Sequence, residues 1–131
     1  MNFAILPQAT PFGEIMRLAV EATPGAIGGA FADSEGEMVD GFTTIDREEW
    51  AIITAHYGVV LVQIVNAFGT WHFGGPEYFI AQHSKLDIVV HAVARGYYAL
   101  LAVAEDHDSA PLATALVNLR RAAAALEREI A

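Results

Sequence analysis

The chain has 131 residues, of which 54% are hydrophobic, so we expect one domain with a substantial core rather than a disordered chain. Its 16 acidic and seven basic residues give a net charge of −9, which argues against nucleic acid and anionic membranes as partners. Because cysteine is absent, disulfide scaffolds, thiolate zinc sites and cysteine nucleophiles are excluded.

We predict a single domain over 1–131, with an N-terminal extension over 1–10 and a core over 12–130. The first ten residues lack the pattern of a signal peptide. We expect the central helix over 46–68 to be too polar to span a membrane, since it contains Thr54, His56, Gly58, Gln63 and Asn66. The expectation is therefore a cytoplasmic protein without membrane insertion.

The predicted elements begin with a helix, which a Thr-Pro pair at 10–11 starts and Thr-Pro-Gly at 23–25 ends. Two strands follow, over 26–33 and 37–43. The turn Asp-Ser-Glu-Gly at 33–36 between them is of the kind that joins antiparallel neighbours.

The longest predicted helix covers 46–68 and begins with the capping-box sequence Asp46-Arg47-Glu48-Glu49. Its large apolar residues share one side, which we expect to face the core: Trp50, Ile53, Tyr57, Leu61, Ile64 and Phe68. A second apolar side consists of Ile52, Ala55, Val59 and Val62. A surface helix of a small domain needs only one apolar stripe, so the second side predicts an interface with another polypeptide. A helix buried within its own domain is the alternative.

Three strand-like stretches over 77–84, 86–94 and 97–104 follow, and their short joints predict an antiparallel meander. The first has a mixed composition, with Tyr78, Ile80 and Gln82 on one side, which suits an edge strand that pairs with a second chain. Ser109 and Pro111 open a last helix that ends near residue 130. The order α-β-β-α-β-β-β-α predicts an α+β fold with one five-stranded, mainly antiparallel sheet. We expect the central helix on one face and the other two helices on the opposite face.

No catalytic, cofactor-binding or metal-binding residues are predicted. Among the five histidines, only His83 and His91 are candidates for a shared metal site, and exposed or hydrogen-bonded histidines are the preferred interpretation. Helix capping explains the acidic residues at 46–49, and the acidic loop at 105–108 lacks the glycine and final glutamate of an EF-hand. The Gly28-Gly29 pair lies in no phosphate-binding motif.

A helix, the stretch PGAIGGAFADSEGEMV at 24–39, a long helix and a three-stranded meander together resemble the Roadblock (dynein light chain-like) family. The resemblance covers nearly the whole chain. It implies a profilin/Roadblock-like fold and a homodimer or heterodimer, in which the third core strand pairs with its mate and the long helices lie side by side. Tyr78, Ile80 and Gln82 then fall near the strand joint, and Ala55, Val59 and Val62 near the helix pair.

The resemblance also implies a non-enzymatic scaffold or regulator of a Ras-like small GTPase, most like the bacterial members of the family. Two alternatives are a ligand-sensing domain of the PAS or GAF type and a purely structural dimerisation module. A sensor needs a concave pocket with converging polar groups, whereas the inner sheet positions here are mostly aliphatic.

Overall fold

The structure is a computed structural model that describes residues 4–5, 10–69, 71–104 and 112–131. The predicted acidic loop at 105–108 and the predicted start of the last helix at Ser109 and Pro111 lie outside the described residues. Three α-helices and six strands are present in the described ranges, with one 3-10 helix at Ala94–Gly96 between the last two strands: β1 (Ala4–Ile5), α1 (Pro11–Ala22), β2 (Ala26–Ala32), β3 (Met38–Thr43), α2 (Arg47–Phe68), β4 (Tyr78–Gln82), β5 (Leu86–Ala92), β6 (Tyr98–Ala104) and α3 (Leu112–Ile130).

The strands form one antiparallel sheet in the order β1-β3-β2-β6-β5-β4. The five predicted strands and the meander β4-β5-β6 are confirmed. The two-residue strand β1, which lies in the predicted N-terminal extension, adds to the edge formed by β3. At the opposite end of the sheet, β4 is the edge strand, as its composition predicts.

Helices cover both faces of the sheet as expected. On one face, α1 and α3 pack over a core that includes Met16, Val89 and Leu119. On the other face, α2 packs over a separate core that includes Trp50 and Leu100. The central strands β5 and β6 contribute side chains to both cores because successive residues of a strand point to opposite faces.

Side-chain caps begin the first two helices, as the sequence predicts. The Thr10 hydroxyl oxygen accepts a hydrogen bond from the Gly13 N–H at 3.1 Å, and an Asp46 carboxylate oxygen accepts one from the Glu49 N–H at 3.1 Å. The buried Asp40 of β3 also accepts hydrogen bonds from the Thr10 N–H and hydroxyl, which ties the start of α1 to the sheet.

The contact between α2 and the sheet is narrow. Only Trp50, Thr54, Gly58 and Leu61 of the helix are buried. The Trp50 indole N–H donates to the Gly29 carbonyl at 3.3 Å, and the Tyr98 hydroxyl donates to the Thr54 carbonyl at 2.7 Å. The predicted core-facing stripe is therefore wrong in two respects. The buried strip includes a threonine and a glycine. Phe68, the last residue of the helix, is 49% exposed.

The first prediction concerns the close approach of Tyr98 to α2. A Cβ atom added at Gly58 would overlap the Tyr98 hydroxyl oxygen, so we expect Gly58→Ala to destabilise the fold by about 1–3 kcal/mol. Tyr98→Phe removes the nearest atom of that clash, so the double variant should lose less stability than the sum of the two single variants. Urea denaturation measures both effects. Gly75→Ala is the control, because a Cβ atom there meets its nearest neighbour at an ordinary 3.5 Å.

The second prediction concerns alkaline pH. Burial, together with the negative charge of Asp33, raises the pKa of Tyr98 to about 12. In the unfolded chain a tyrosine titrates near pH 10, so the stabilisation is complete below about pH 10 and is lost as the pH rises towards about 12. The difference in unfolding free energy between the wild type and Tyr98→Phe should therefore stay constant up to about pH 10 and shrink between about pH 10 and pH 12. An unchanged difference contradicts the assignment.

Candidate interaction surface

The predicted second side of α2 is open to solvent. Ile52 is 57% exposed, Val59 58% and Val62 50%, and the shorter Ala55 is partly buried. No described segment of the chain covers these side chains. The exposure on which the interface prediction depends is therefore observed, and the identity of whatever covers the surface stays a prediction.

One flank of α2 faces β4. The Tyr57 ring lies 6.0 Å from the Phe79 ring, and its hydroxyl is hydrogen bonded to His83 Nε2. Val60, 36% exposed, follows Tyr57 by three residues and Ile53 by seven, so it lies on the same flank. Burial raises the pKa of the Tyr57 hydroxyl, so this side chain stays protonated to a higher pH than a free tyrosine.

The other flank of α2 faces the turn between β2 and β3. A groove of about 190 Å³ runs between them, lined by Ala55, Val59 and Val62 on the helix and by 34–36 on the turn. A Cβ atom added to Gly36 would lie 3.4 Å from the Ala55 Cα, which shows how closely the turn approaches the helix. Ala55 and Val62 thus point away from β4. The predicted helix residues and the predicted strand residues lie on opposite flanks of α2.

The outer edge of β4 carries free backbone groups. His83 N–H donates to the Leu86 carbonyl, and the Glu77 carbonyl accepts from the Ala92 N–H, so odd-numbered residues of this segment bond to β5. In an antiparallel pair, the backbone groups of the alternate residues point the other way. These outward residues are Tyr78, Ile80 and Gln82, the three that the sequence predicts for a strand joint.

The side chains of these edge residues lie on the α3 face of the sheet. The Tyr78 ring stacks on His91 at a centroid distance of 6.1 Å, and the Arg120 guanidinium lies 5.5 Å from the same ring. Tyr78 contacts both of these groups, and it is 38% exposed, as is Ile80 at the centre of the strand. The edge therefore presents apolar side chains beside its free backbone groups.

Beyond its first turn, α2 itself carries no acidic residue, lysine or arginine, and the charged residues beside it, Glu35 and Lys85, belong to the neighbouring turns. No Asp, Glu, Lys or Arg occurs from Trp50 to Pro76. In the described part of the chain, α2 is the one helix that is long and apolar enough to cross a membrane, judged by length and composition alone. This differs from the prediction that its polar residues make it too polar to do so. Its buried strip and its hydrogen bonds to the sheet are those of a helix that covers a sheet within a folded domain.

Two aromatic side chains in the connector between α2 and β4, residues 71–76, extend this surface. Trp71 is 54% exposed and Phe73 68% exposed, and their ring centroids are 5.5 Å apart. The signal that could have identified them is their position, because two large aromatic residues stand in an uncharged segment directly before an edge strand.

The predicted alternatives for metal chemistry are not brought together. His83 lies against Tyr57 on the α2 face, whereas His91 lies under Tyr78 on the α3 face. Within the described ranges, no group of three or more His, Asp or Glu residues is arranged to hold a metal ion. Asp46 at the start of α2 serves as a helix cap.

Several solved structures have the same fold. No protein-family model and no curated protein matches this chain. An MglB with a tetrameric arrangement superposes with a TM-score of 0.78 at 15% identity, covering 98% of this chain and 96% of that one. The gliding protein MglB from Thermus thermophilus gives 0.77 at 15% identity, with the same coverage. A Roadblock/LC7 domain from Streptomyces avermitilis gives 0.73 at 9% identity, covering 90% and 96%.

These likenesses show the fold, and the chain has the Roadblock/LC7 fold that its sequence resembles. The element order and the helices on both faces agree with that fold. The surface formed by α2, the connector and β4 is the candidate functional site.

Proposed function

We propose that the protein is a cytoplasmic, non-enzymatic homodimer that scaffolds or regulates a Ras-like small GTPase through protein–protein contacts. One observation carries the proposal. The chain presents a free edge strand beside an uncharged, apolar helix face, and no described segment covers either one. The Roadblock fold supports a regulatory role, and the similar MglB was solved in a tetrameric arrangement.

The edge strand determines the register of the proposed dimer. Two copies pair antiparallel through residues whose backbone groups point outward, which are Tyr78, Ile80 and Gln82. Centring the two-fold axis on Ile80 pairs all three, since Tyr78 then lies opposite Gln82 of the mate and Ile80 lies opposite its own copy. A shift by two residues towards the strand start loses a pairing, because Pro76 has no N–H to donate.

The same axis places the two α2 helices on one face of the joined sheet. Directly opposite residues of an antiparallel pair point to the same face, so the copies meet with matching faces. The flank of α2 that faces β4 is then the flank that meets the mate. Val60 lies at its centre, with Ile53 and Ile64 on either side along the helix.

The other flank of α2 stays accessible in such a dimer. The groove between α2 and the β2–β3 turn is lined by Ala55, Val59 and Val62 beside Glu35, and Ile52 extends the apolar surface above it. We assign this groove to the GTPase. Two such grooves, one per copy, lie on the same face of the joined sheet, so a single partner can contact both.

The observed pockets do not favour a sensor of the PAS or GAF type. Three surface pockets formed by described residues have volumes of about 270, 190 and 280 Å³, below the lower limit of typical small-molecule sites, about 300 Å³. Each is shallow, and the pocket between α1 and α3 has a mostly aliphatic lining. A purely structural dimerisation module is the outcome if the dimer forms and no GTPase binds.

The third prediction tests the dimer. Val60→Asp places a carboxylate in the apolar contact between the two α2 helices, where an unpaired charge costs several kcal/mol. We expect the dissociation constant to rise roughly 100-fold or more, measured by sedimentation velocity. Val117→Asp is the matched control, because Val117 is an exposed valine of α3 on the opposite face of the sheet. A wild type that is monomeric at micromolar concentration, or equal association of both variants, contradicts the proposed dimer.

The fourth prediction tests the partner. Val62→Asp adds a charge to the groove on the far flank of α2, so it should leave the dimer intact and weaken GTPase binding roughly tenfold or more. Fluorescence anisotropy with GTP-loaded and GDP-loaded Ras-like GTPases from the same genome measures the binding. If the wild-type dimer binds none of them in either state, the GTPase assignment is wrong.

A further inference from the structure

The aromatic pair Trp71 and Phe73 is large, exposed and held in a defined position. The Trp71 N–H donates to the Phe68 carbonyl at 3.2 Å, and the Gly74 N–H donates to the Trp71 carbonyl at 3.0 Å. Gly74 has a φ of +87°, which permits the tight turn that follows. The connector therefore presents its two rings on a hydrogen-bonded turn.

An apolar pocket of about 280 Å³ lies at the other end of β4. Its floor consists of Ile53 and Tyr57 of α2 with Leu86 and Ile88 of β5, and its rim is the turn between β4 and β5, residues 83–85. A cavity of about 150 Å³ is sufficient for a benzene ring, so this pocket has room for an aromatic side chain. The pocket lies on the same face of the sheet as α2, and the connector leads from the end of α2.

Within one chain, the rings cannot reach the pocket. The connector precedes β4 and the pocket lies beyond its end, and the five residues of β4 alone span roughly 13 Å at about 3.3 Å per residue. Antiparallel pairing of two β4 strands changes this relation, because it places the start of one strand beside the end of the other. In the register centred on Ile80, Pro76 of one copy lies opposite Ser84 of its mate.

We propose that the connector of each copy inserts Trp71 or Phe73 into the pocket between α2 and the β4–β5 turn of its mate. This inference rests on the proposed dimer and adds a reciprocal contact to it. The occupant is a second copy of the chain, because the two-fold relation between β4 strands aligns connector and pocket twice. The pocket lining also includes the Tyr57–His83 pair, a hydrogen-bonding partner for the indole N–H of Trp71.

The fifth prediction uses the two tryptophans of the chain. Trp50 is fully buried, so Trp71 alone is open to a quencher in the isolated chain. When the protein concentration rises through the dimer dissociation constant, iodide quenching should fall towards that of Trp71→Phe, in which only Trp50 emits. Trp71→Ala with Phe73→Ala should raise the dissociation constant roughly 10- to 100-fold, whereas Leu18→Ala, an exposed residue of α1 on the opposite face, should not change it.

A crosslinking experiment separates this inference from the dimer itself. The chain has no cysteine, so single cysteines introduced on its surface react alone. Ile80→Cys should crosslink to its own copy through a short bis-maleimide, which reports the strand register. A mixture of Phe73→Cys and Ser84→Cys copies should crosslink to each other.

The two crosslinks lead to different conclusions. If Ile80→Cys crosslinks and the Phe73→Cys/Ser84→Cys mixture does not, or if Trp71 stays open to quenching in the dimer, the insertion is wrong and the dimer stands. If neither crosslink forms and sedimentation shows a monomer, the proposed dimer is wrong and the insertion falls with it. Both crosslinks together with protection of Trp71 support the insertion.

Discussion

The contact between α2 and the sheet is a narrow strip, and this leaves most of the surface of the helix exposed. Trp50, Thr54, Gly58 and Leu61 follow one another at spacings of three or four residues, so they form a line one residue wide along the helix. Gly58 lets the Tyr98 hydroxyl reach the Thr54 carbonyl, which brings the helix close to the sheet without a broad contact. A 22-residue helix is therefore anchored while most of its circumference stays open.

That open circumference is divided by the neighbours of α2. The β4–β5 turn stands on one flank and the β2–β3 turn on the other, so each flank forms a separate shallow groove with its own lining. The two grooves differ in charge, since the turn that lines one contributes Glu35 and the turn that lines the other contributes Lys85. In the proposed complex, the mate covers one flank and a different partner covers the other. The apolar surface of the helix is then wide enough for two interfaces.

Much of the fold was predictable from the sequence because local signals agreed with one another. The caps at Thr10 and Asp46, the turn at 33–36 and the short joints of the meander each fixed one element, and the edge position of β4 followed from its composition. The direction of each flank of α2 was not predictable, because helical periodicity orders residues around the helix and does not say which neighbour each one meets. Thr54 and Gly58 were missed for a related reason. Their burial depends on Trp50 and Tyr98, which come from distant parts of the chain.

One edge of the sheet is partly covered and the other is not, and this difference argues for pairing at β4. At one end, Ala4–Ile5 covers part of β3. At the other end, β4 reads Tyr-Phe-Ile-Ala-Gln and contains no proline, no lysine and no bulge, the devices with which monomeric proteins protect a free edge. An unprotected edge beside exposed Val60 and Trp71 exposes the chain to uncontrolled association unless one defined contact covers them together. A symmetric partner satisfies that condition, because a single two-fold axis through Ile80 covers the edge, the helix flank and the connector at the same time.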